Sequence, residues 1–405
     1  MRTRSFTRRQ TGVPVVMQII DVRGGRILIG GETRDDARLT ISDGRLRVIE
    51  PAGGGGDVAD DELSGDYVAI DLAGGCLLPG FIDTQVNGGG GVLFNNALGI
   101  EGLARIAAAH ARFGTTALLP TLITDTAEAI EAALDAVDAA IAAGVPGIVG
   151  VHIEGPFING TRKGIHDPAL IRTLDRSIID ILCRPRRGVV MMTLAPEVVA
   201  VEDIAQLAAA GVILSAGHTD ATYDEALAGF AAGVTGVTHV FNAMSPLLHR
   251  APGMVGAALS EAAIWCGIIA DGVHVAPAAL DIAFRSKGAD RLMLVTDAMP
   301  SVGSDDDFFL LNGRRMTVEG GVCMGEDGTL AGAHLDMAQA VRTMCAATGA
   351  DLPTVSRMAS ASPAAFLGMA QDRGALSVGL RADFVVLDAA LEPVQTWIGG
   401  IKVAG

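Results

Sequence analysis

The sequence predicts an α/β protein: a (β/α)₈ TIM-like barrel with a small β-sandwich formed from the N- and C-terminal segments. Three observations predict it. From Cys76 onward, eight short apolar runs alternate with Ala-rich helical stretches, the pattern of a closed parallel sheet with helices outside it. Both ends of the chain carry strand patterns and hairpin turns instead. No GxGxxG follows a first strand, which counts against a doubly wound open sheet.

In chain order, residues 1–16 carry Arg2, Arg4, Arg8 and Arg9 without an acid. No apolar stretch and cleavage site follow, so a disordered tail is expected rather than a signal peptide. Residues 17–75 read as strands, with Asp43-Gly44 between two alternating runs as a hairpin turn and Gly53–Gly56 as a flexible loop. The barrel is expected over 76–374. Its strands are Cys76–Gln85, Thr115–Thr124, Gly147–Glu154, Val189–Leu194, Val212–His218, Gly236–Phe241, Ala263–Ala270 and Arg291–Asp297. Helices are expected at Ile100–Phe113, Thr126–Ala143, Val201–Ala210, Thr222–Ala232 and Pro277–Arg285. Residues 300–332, with Asn312-Gly313 between FFLL and RRMTV, read as a hairpin insertion over the barrel mouth. Helices follow at His334–Thr348, Leu352–Ser360 and Ser362–Leu367. Residues 375–405 return to strands that complete the small β domain.

Composition narrows the function classes. Of 405 residues, 50% are hydrophobic and 19% charged, which excludes a largely disordered chain. The net charge of −16 argues against sequence-independent nucleic-acid binding and against docking on anionic lipid. No apolar run reaches the ~20 residues of a membrane span. Cys76, Cys183, Cys266, Cys323 and Cys345 are odd in number and form no CxxC pair. That pattern fits a reduced, cytoplasmic protein with small buried thiols.

Reactive groups of such a barrel sit at the C-terminal ends of its strands. Here those ends carry Glu154 on the third strand, His218 on the fifth, His239 on the sixth, Asp271 and His274 after the seventh, and Asp297 on the eighth. Burying such groups without a task is costly. Two histidines and a carboxylate make a sound ligand set for one catalytic divalent ion, most readily Zn²⁺, with Fe²⁺, Co²⁺ or Mn²⁺ as alternatives. Glu154, His218 and His239 are assigned to it. Asp297 is then placed to take a proton from water and return it to a leaving group.

The segments PGFID, HIEGP, GHTDATYDEA, THVFNAM, ADGVHV and VTDAM together resemble the amidohydrolase superfamily, and within it the N-acetylglucosamine-6-phosphate deacetylases. The likeness runs from about Met17 to the C-terminus. It implies hydrolysis of the acetamide of N-acetylglucosamine 6-phosphate to the amino sugar phosphate and acetate, the galactosamine epimer or another N-acyl compound being the alternatives. It implies the same three metal ligands, with Asp297 as acid/base residue and His166 beside the amide carbonyl. Ile165, Asn242, Ala243, Asp271, His274, Leu330, Ala331 and Gly332 would line the substrate. Arg250 would reach the phosphate from the neighbouring subunit of a homodimer. Where many superfamily members carry HxH and a second metal, this chain has Gln85 and Asn87, so one metal is expected.

Other histidines read as structural: His110 within a helix, His249 in a solvated loop, His334 at a helix start. His152 fits either a place behind the metal ligands or a core layer. Arg162 and Lys163 fit either a solvated loop or a local attractor for a phosphate. Gly88 to Gly91 read as a flexible loop at the mouth rather than a nucleotide cradle.

Overall fold

The computed structural model describes residues 17–52, 66–326 and 328–405. The tail expected over 1–16 and the loop Gly53–Gly56 lie outside the described residues. Eight parallel strands follow one another in chain order: Phe81–Val86, Thr115–Ile123, Gly150–Glu154, Val189–Leu194, Ile213–Ala216, Val234–Val237, Trp265–Ile269 and Leu292–Val295. Most of their residues are buried on both faces, as a sheet with helices outside and a packed interior requires. The eighth strand meets the first just beyond its end. The Asp297 N–H donates to Gln85 O at 3.0 Å and the Asn87 N–H to Ala298 O at 2.9 Å. Beneath them Thr296 Oγ1 donates to Asp83 Oδ2 at 2.5 Å, and burial pushes the Asp83 carboxyl up to about 7.

Helices Ile100–Ala111, Ala127–Ala142, Val201–Ala209, Tyr223–Ala232 and Pro277–Lys287 coincide with the Ala-rich stretches. Several starts are chemically marked. Thr222 and Glu225 form a capping box, and Thr126 and Asp175 accept from first-turn N–H groups. Two short helices, Arg176–Leu182 and Gly253–Ser260, are additions to the sequence reading.

The terminal segments form two further sheets. One holds Arg45–Glu50, Ala37–Ser42, Met17–Arg23 and Asp66–Asp71. The other holds Ile401–Ala404, Pro393–Ile398, Phe384–Leu387, Cys76–Pro79, Arg26–Ile29 and Glu32–Arg34. The expected single strand Cys76–Gln85 is therefore two strands, broken at Gly80. A Cβ at Gly80 would lie 2.3 Å from the Thr116 side chain, so only glycine lets the chain pass from sandwich to barrel there. Alternation joins the two units. Leu77, Phe384 and Val386 face the sandwich core, while Cys76, Leu78, Val385 and Leu387 belong to the barrel core.

The insertion folds as the four-stranded antiparallel sheet Phe308–Leu311, Arg314–Glu319, Val322–Gly325 and Leu330–Ala333. Asn312 and Gly313 take positive φ at its first turn. The Ala333 N–H donates to Asp297 O at 2.9 Å, which sets Leu330–Ala333 against the end of the eighth strand. Gly88 to Gly91 are not a loose loop. Gly88–Gly89 pairs with Val92–Leu93 in a tight turn, and His110 Nε2 donates to Gly88 O at 2.9 Å.

Candidate active site

Three expected strands run too long. The fifth, sixth and eighth stop at Ala216, Val237 and Val295. His218, His239 and Asp297 lie two residues further on, at φ of 48°, 34° and 52°. A left-handed step is uncommon for a residue with a Cβ, and it swings each side chain out of the strand's alternation into the mouth of the barrel.

There they converge with Glu154. His239 Nε2 lies 3.1 Å from Glu154 Oε1 and 3.1 Å from His218 Nε2, and His218 Nε2 lies 3.3 Å from Glu154 Oε1. His218 Nδ1 sits 2.9 Å from the carbonyl of Arg162, which only accepts. The ring proton is therefore on Nδ1, and Nε2 presents a lone pair to the cluster. All three residues are buried, with ligand atoms within 4.8 Å of one another; among the described residues no other such group occurs. Burial alone would raise the Glu154 carboxyl. When the facing Nε2 atoms are protonated, their hydrogen bonds and charge outweigh it and hold the group well below the usual carboxylate range. Electron-pair donors this close fit a divalent cation, and their N₂O chemistry suits Zn²⁺ and its neighbours.

Asp297 stands on the other side. Gln85 Nε2 donates to Asp297 Oδ1 at 3.1 Å and to Glu154 Oε1 at 3.0 Å. Asn87 Nδ2 donates to the same Oδ1 at 2.7 Å. Burial first, and the Glu154 charge second, raise the Asp297 carboxyl to about 6. Both amide bonds fall on Oδ1, which leaves Oδ2 for other work.

The loop after the third strand crosses this cluster. The Asn159 N–H donates to His218 O at 2.8 Å. Glu197 accepts from Asn159 Nδ2, Thr219 Oγ1 and the Asp220 N–H at 2.5–2.9 Å, clamping the loop to the end of the fifth strand. The loop delivers His166, whose ring centroid is 4.2 Å from that of His218. His166 Nδ1 lies 2.6 Å from Thr124 Oγ1. Burial, then the neighbouring His218, holds its pKa well below that of free imidazole, so the ring is neutral. Arg162 pairs with Asp220 at 2.8 Å.

These groups line a cavity of about 370 Å³. Ile165, His166, Asn242, Ala243, His274, Leu330 and Gly332 all face it, as do Glu154, His218, His239 and Asp297. Asp271 stands behind His274, with Oδ2 2.6 Å from Nδ1. Ala331 is buried beside the cavity rather than on it. Arg250 lies on an exposed turn, away from the cavity of its own chain.

A family model described as the amidohydrolase family matches residues 76–403. The chain belongs to that family. It is 41% identical to the N-acetylgalactosamine-6-phosphate deacetylase of Shewanella sp. (strain ANA-3), over 93% of this chain and 94% of the relative. It is 36% identical to the N-acetylglucosamine-6-phosphate deacetylase of Mus musculus, over 94% of this chain and 90% of the relative. The crystal structure of N-acetylglucosamine-6-phosphate deacetylase from Pasteurella multocida superposes with a TM-score of 0.89 at 31% identity. That match covers 96% of this chain and all of the other.

Sequence reasoning missed Glu197 and Thr124. Glu197 met the criterion of an acid just past a strand, in the segment LAPE, yet was passed over. Thr124 ends a run of otherwise apolar residues, and a hydroxyl there gives a weaker signal than an acid or imidazole. Arg162 and Asn87 also line the cavity, as do Ile123, Thr161, Gly164, Ile269, Met299 and Thr329, which carry no signal of their own.

Proposed function

We propose that the protein hydrolyses the acetamide of N-acetyl-D-glucosamine 6-phosphate, giving D-glucosamine 6-phosphate and acetate. The observation that carries the reading is the convergence of Glu154, His218 and His239 beside an independently held carboxylate, Asp297, in one cavity. Glu154, His218 and His239 would hold one divalent cation, Zn²⁺ or one of Fe²⁺, Co²⁺ and Mn²⁺. When bound, the cation supplies Lewis acidity to the amide carbonyl oxygen and to the attacking water.

The protein's own groups do the rest. Asp297 Oδ2 takes the proton of the attacking water and later gives it to the departing amine nitrogen. Gln85 and Asn87 fix the Asp297 carboxylate by its other oxygen. One hydroxyl proton on Thr124 is available either to Glu154 O at 3.2 Å or to His166 Nδ1 at 2.6 Å. Given to Nδ1, it leaves the ring proton on Nε2, where His166 donates to the carbonyl oxygen as negative charge develops. Asp271 orients His274 toward the sugar, and Asn242 and Ala243 line the phosphate end. Arg250, exposed here, is assigned to the phosphate in the neighbouring subunit of a homodimer. The five unpaired cysteines support a cytoplasmic setting.

The Shewanella relative favours a second reading, in which the substrate is the galactosamine epimer. Acetate release by purified protein from both 6-phosphates and from unphosphorylated N-acetylglucosamine, with a chelator-treated control, tests both. Chelator-sensitive release from the glucosamine 6-phosphate supports the first reading. Release confined to the galactosamine compound selects the second, and release from neither overturns both.

A further inference from the structure

Beneath the three ligands lies a row of buried polar side chains that the proposed reaction does not use. His152 Nε2 lies 2.7 Å from Thr193 Oγ1, and His152 Nδ1 lies 3.1 Å from Thr121 Oγ1. Thr193 Oγ1 is 2.7 Å from Thr238 Oγ1, which is 2.7 Å from Ser215 Oγ. All five residues are at most 2% exposed. Four of them lie on the second to fifth strands and Thr238 lies just past the sixth; the bonded row runs from Thr121 through His152, Thr193 and Thr238 to Ser215.

The direction of donation follows from counting protons. Thr121 Oγ1 lies 3.3 Å from Leu119 O and accepts from the Val86 N–H at 2.9 Å. If Ser215 donates to Thr238, Thr238 to Thr193 and Thr193 to His152 Nε2, then His152 Nδ1–H donates to Thr121 and Thr121 to the Leu119 carbonyl. Every proton then has an acceptor. In the opposite direction the Ser215 proton has none among these contacts, and a buried donor without an acceptor is disfavoured.

The row lies close in sequence to each ligand. His152 is two residues before Glu154, Ser215 three before His218, and Thr238 is next to His239. The two histidines leave their strands through left-handed backbone, which persists only where the surroundings fix it. Apolar side chains would fill the same layer with less desolvation. Five strands are instead linked by directional bonds at the level where the ligands depart. We propose that His152, with Thr193 and Thr238, is a positioning residue: it holds Glu154, His218 and His239 in the arrangement that binds the cation. The inference rests on the metal-dependent reading above.

The test measures metal binding rather than turnover. Wild type, His152→Gln, His152→Met, Thr193→Val, Thr238→Val and Ser215→Ala are purified without metal and titrated with Co²⁺ against a chelating dye. Visible spectra are recorded at saturation, and circular dichroism checks the fold. The expected result is a Kd for Co²⁺ raised by roughly 10- to 100-fold in His152→Met and Thr193→Val, the range seen when supports of metal ligands are removed. An altered Co²⁺ spectrum, partial recovery in His152→Gln and the smallest change in Ser215→Ala are expected with it. Folded variants with unchanged Kd and spectrum would overturn the proposal. If the His152 variants do not fold, Thr193→Val, Thr238→Val and Ser215→Ala decide it by the same readouts. Wild-type protein that binds no divalent cation overturns the metal-dependent reading itself, a failure distinct from variants that bind as wild type does.

Discussion

The two sides of the barrel mouth solve the same electrostatic problem differently. On the side of the third, fifth and sixth strands, Glu154 Oε1 faces two imidazole Nε2 atoms at 3.1–3.3 Å, so that three electron-pair donors converge there. On the side of the first and eighth strands, Asp297 Oδ1 accepts hydrogen bonds from the amide N–H groups of Gln85 and Asn87. Lone pairs invite a cation, whereas N–H donors take the place a cation would fill. This difference suits the proposed arrangement of one cation beside one free carboxylate rather than two cations.

Breaking either side gives the largest effects. Asp297→Asn should lower kcat by about a thousandfold or more, the scale of losing a general acid/base, with metal content unchanged. Metal analysis beside acetate release checks it, and near-normal turnover would remove Asp297 from its role. Glu154→Gln should instead lose the metal together with the activity.

Converting one side into the other should change the metal count. The double variant Gln85→His, Asn87→His replaces donors with imidazoles, and should bind a second equivalent of divalent cation by elemental analysis. A single equivalent would show that something other than these two amides limits the mouth to one.

A smaller effect is expected at the support of His166. Thr124→Val should lower kcat by roughly tenfold with little change in KM, since a misplaced ring proton weakens a donor used in the transition state. Arg250→Ala should leave kcat nearly intact and raise KM for the phosphorylated sugar by roughly tenfold. It should not affect the unphosphorylated sugar, and steady-state kinetics on both would show any departure.

Much of this was legible in the chain. Continuous apolar runs and Ala-rich spacers specify a barrel, because a parallel sheet covered by helices must be apolar on both faces. Acids and imidazoles at the ends of those runs mark the mouth, because only there can side chains of several strands converge on a cavity. The hairpins at Asp43-Gly44 and Asn312-Gly313 were legible because φ > 0 at two successive positions selects those residues. The break at Gly80 was not, since the same apolar run serves a sandwich strand and a barrel strand. The clamp at Glu197 was hidden because its partners, Asn159 and Thr219, approach it only when two loops fold over each other.

Residue order was enough to specify the architecture, the candidate ligand types and the absence of imidazoles at Gln85 and Asn87. These follow from hydrophobic period and side-chain chemistry, which are local. The tertiary structure alone decided that His218, His239 and Asp297 turn inward through left-handed backbone, that the Gln85 amide bridges two carboxylates, and that Ser215, Thr238, Thr193, His152 and Thr121 form one row. Each depends on contacts between strands distant in sequence, and hydrogen-bond direction and backbone strain are fixed only once all the partners are in place.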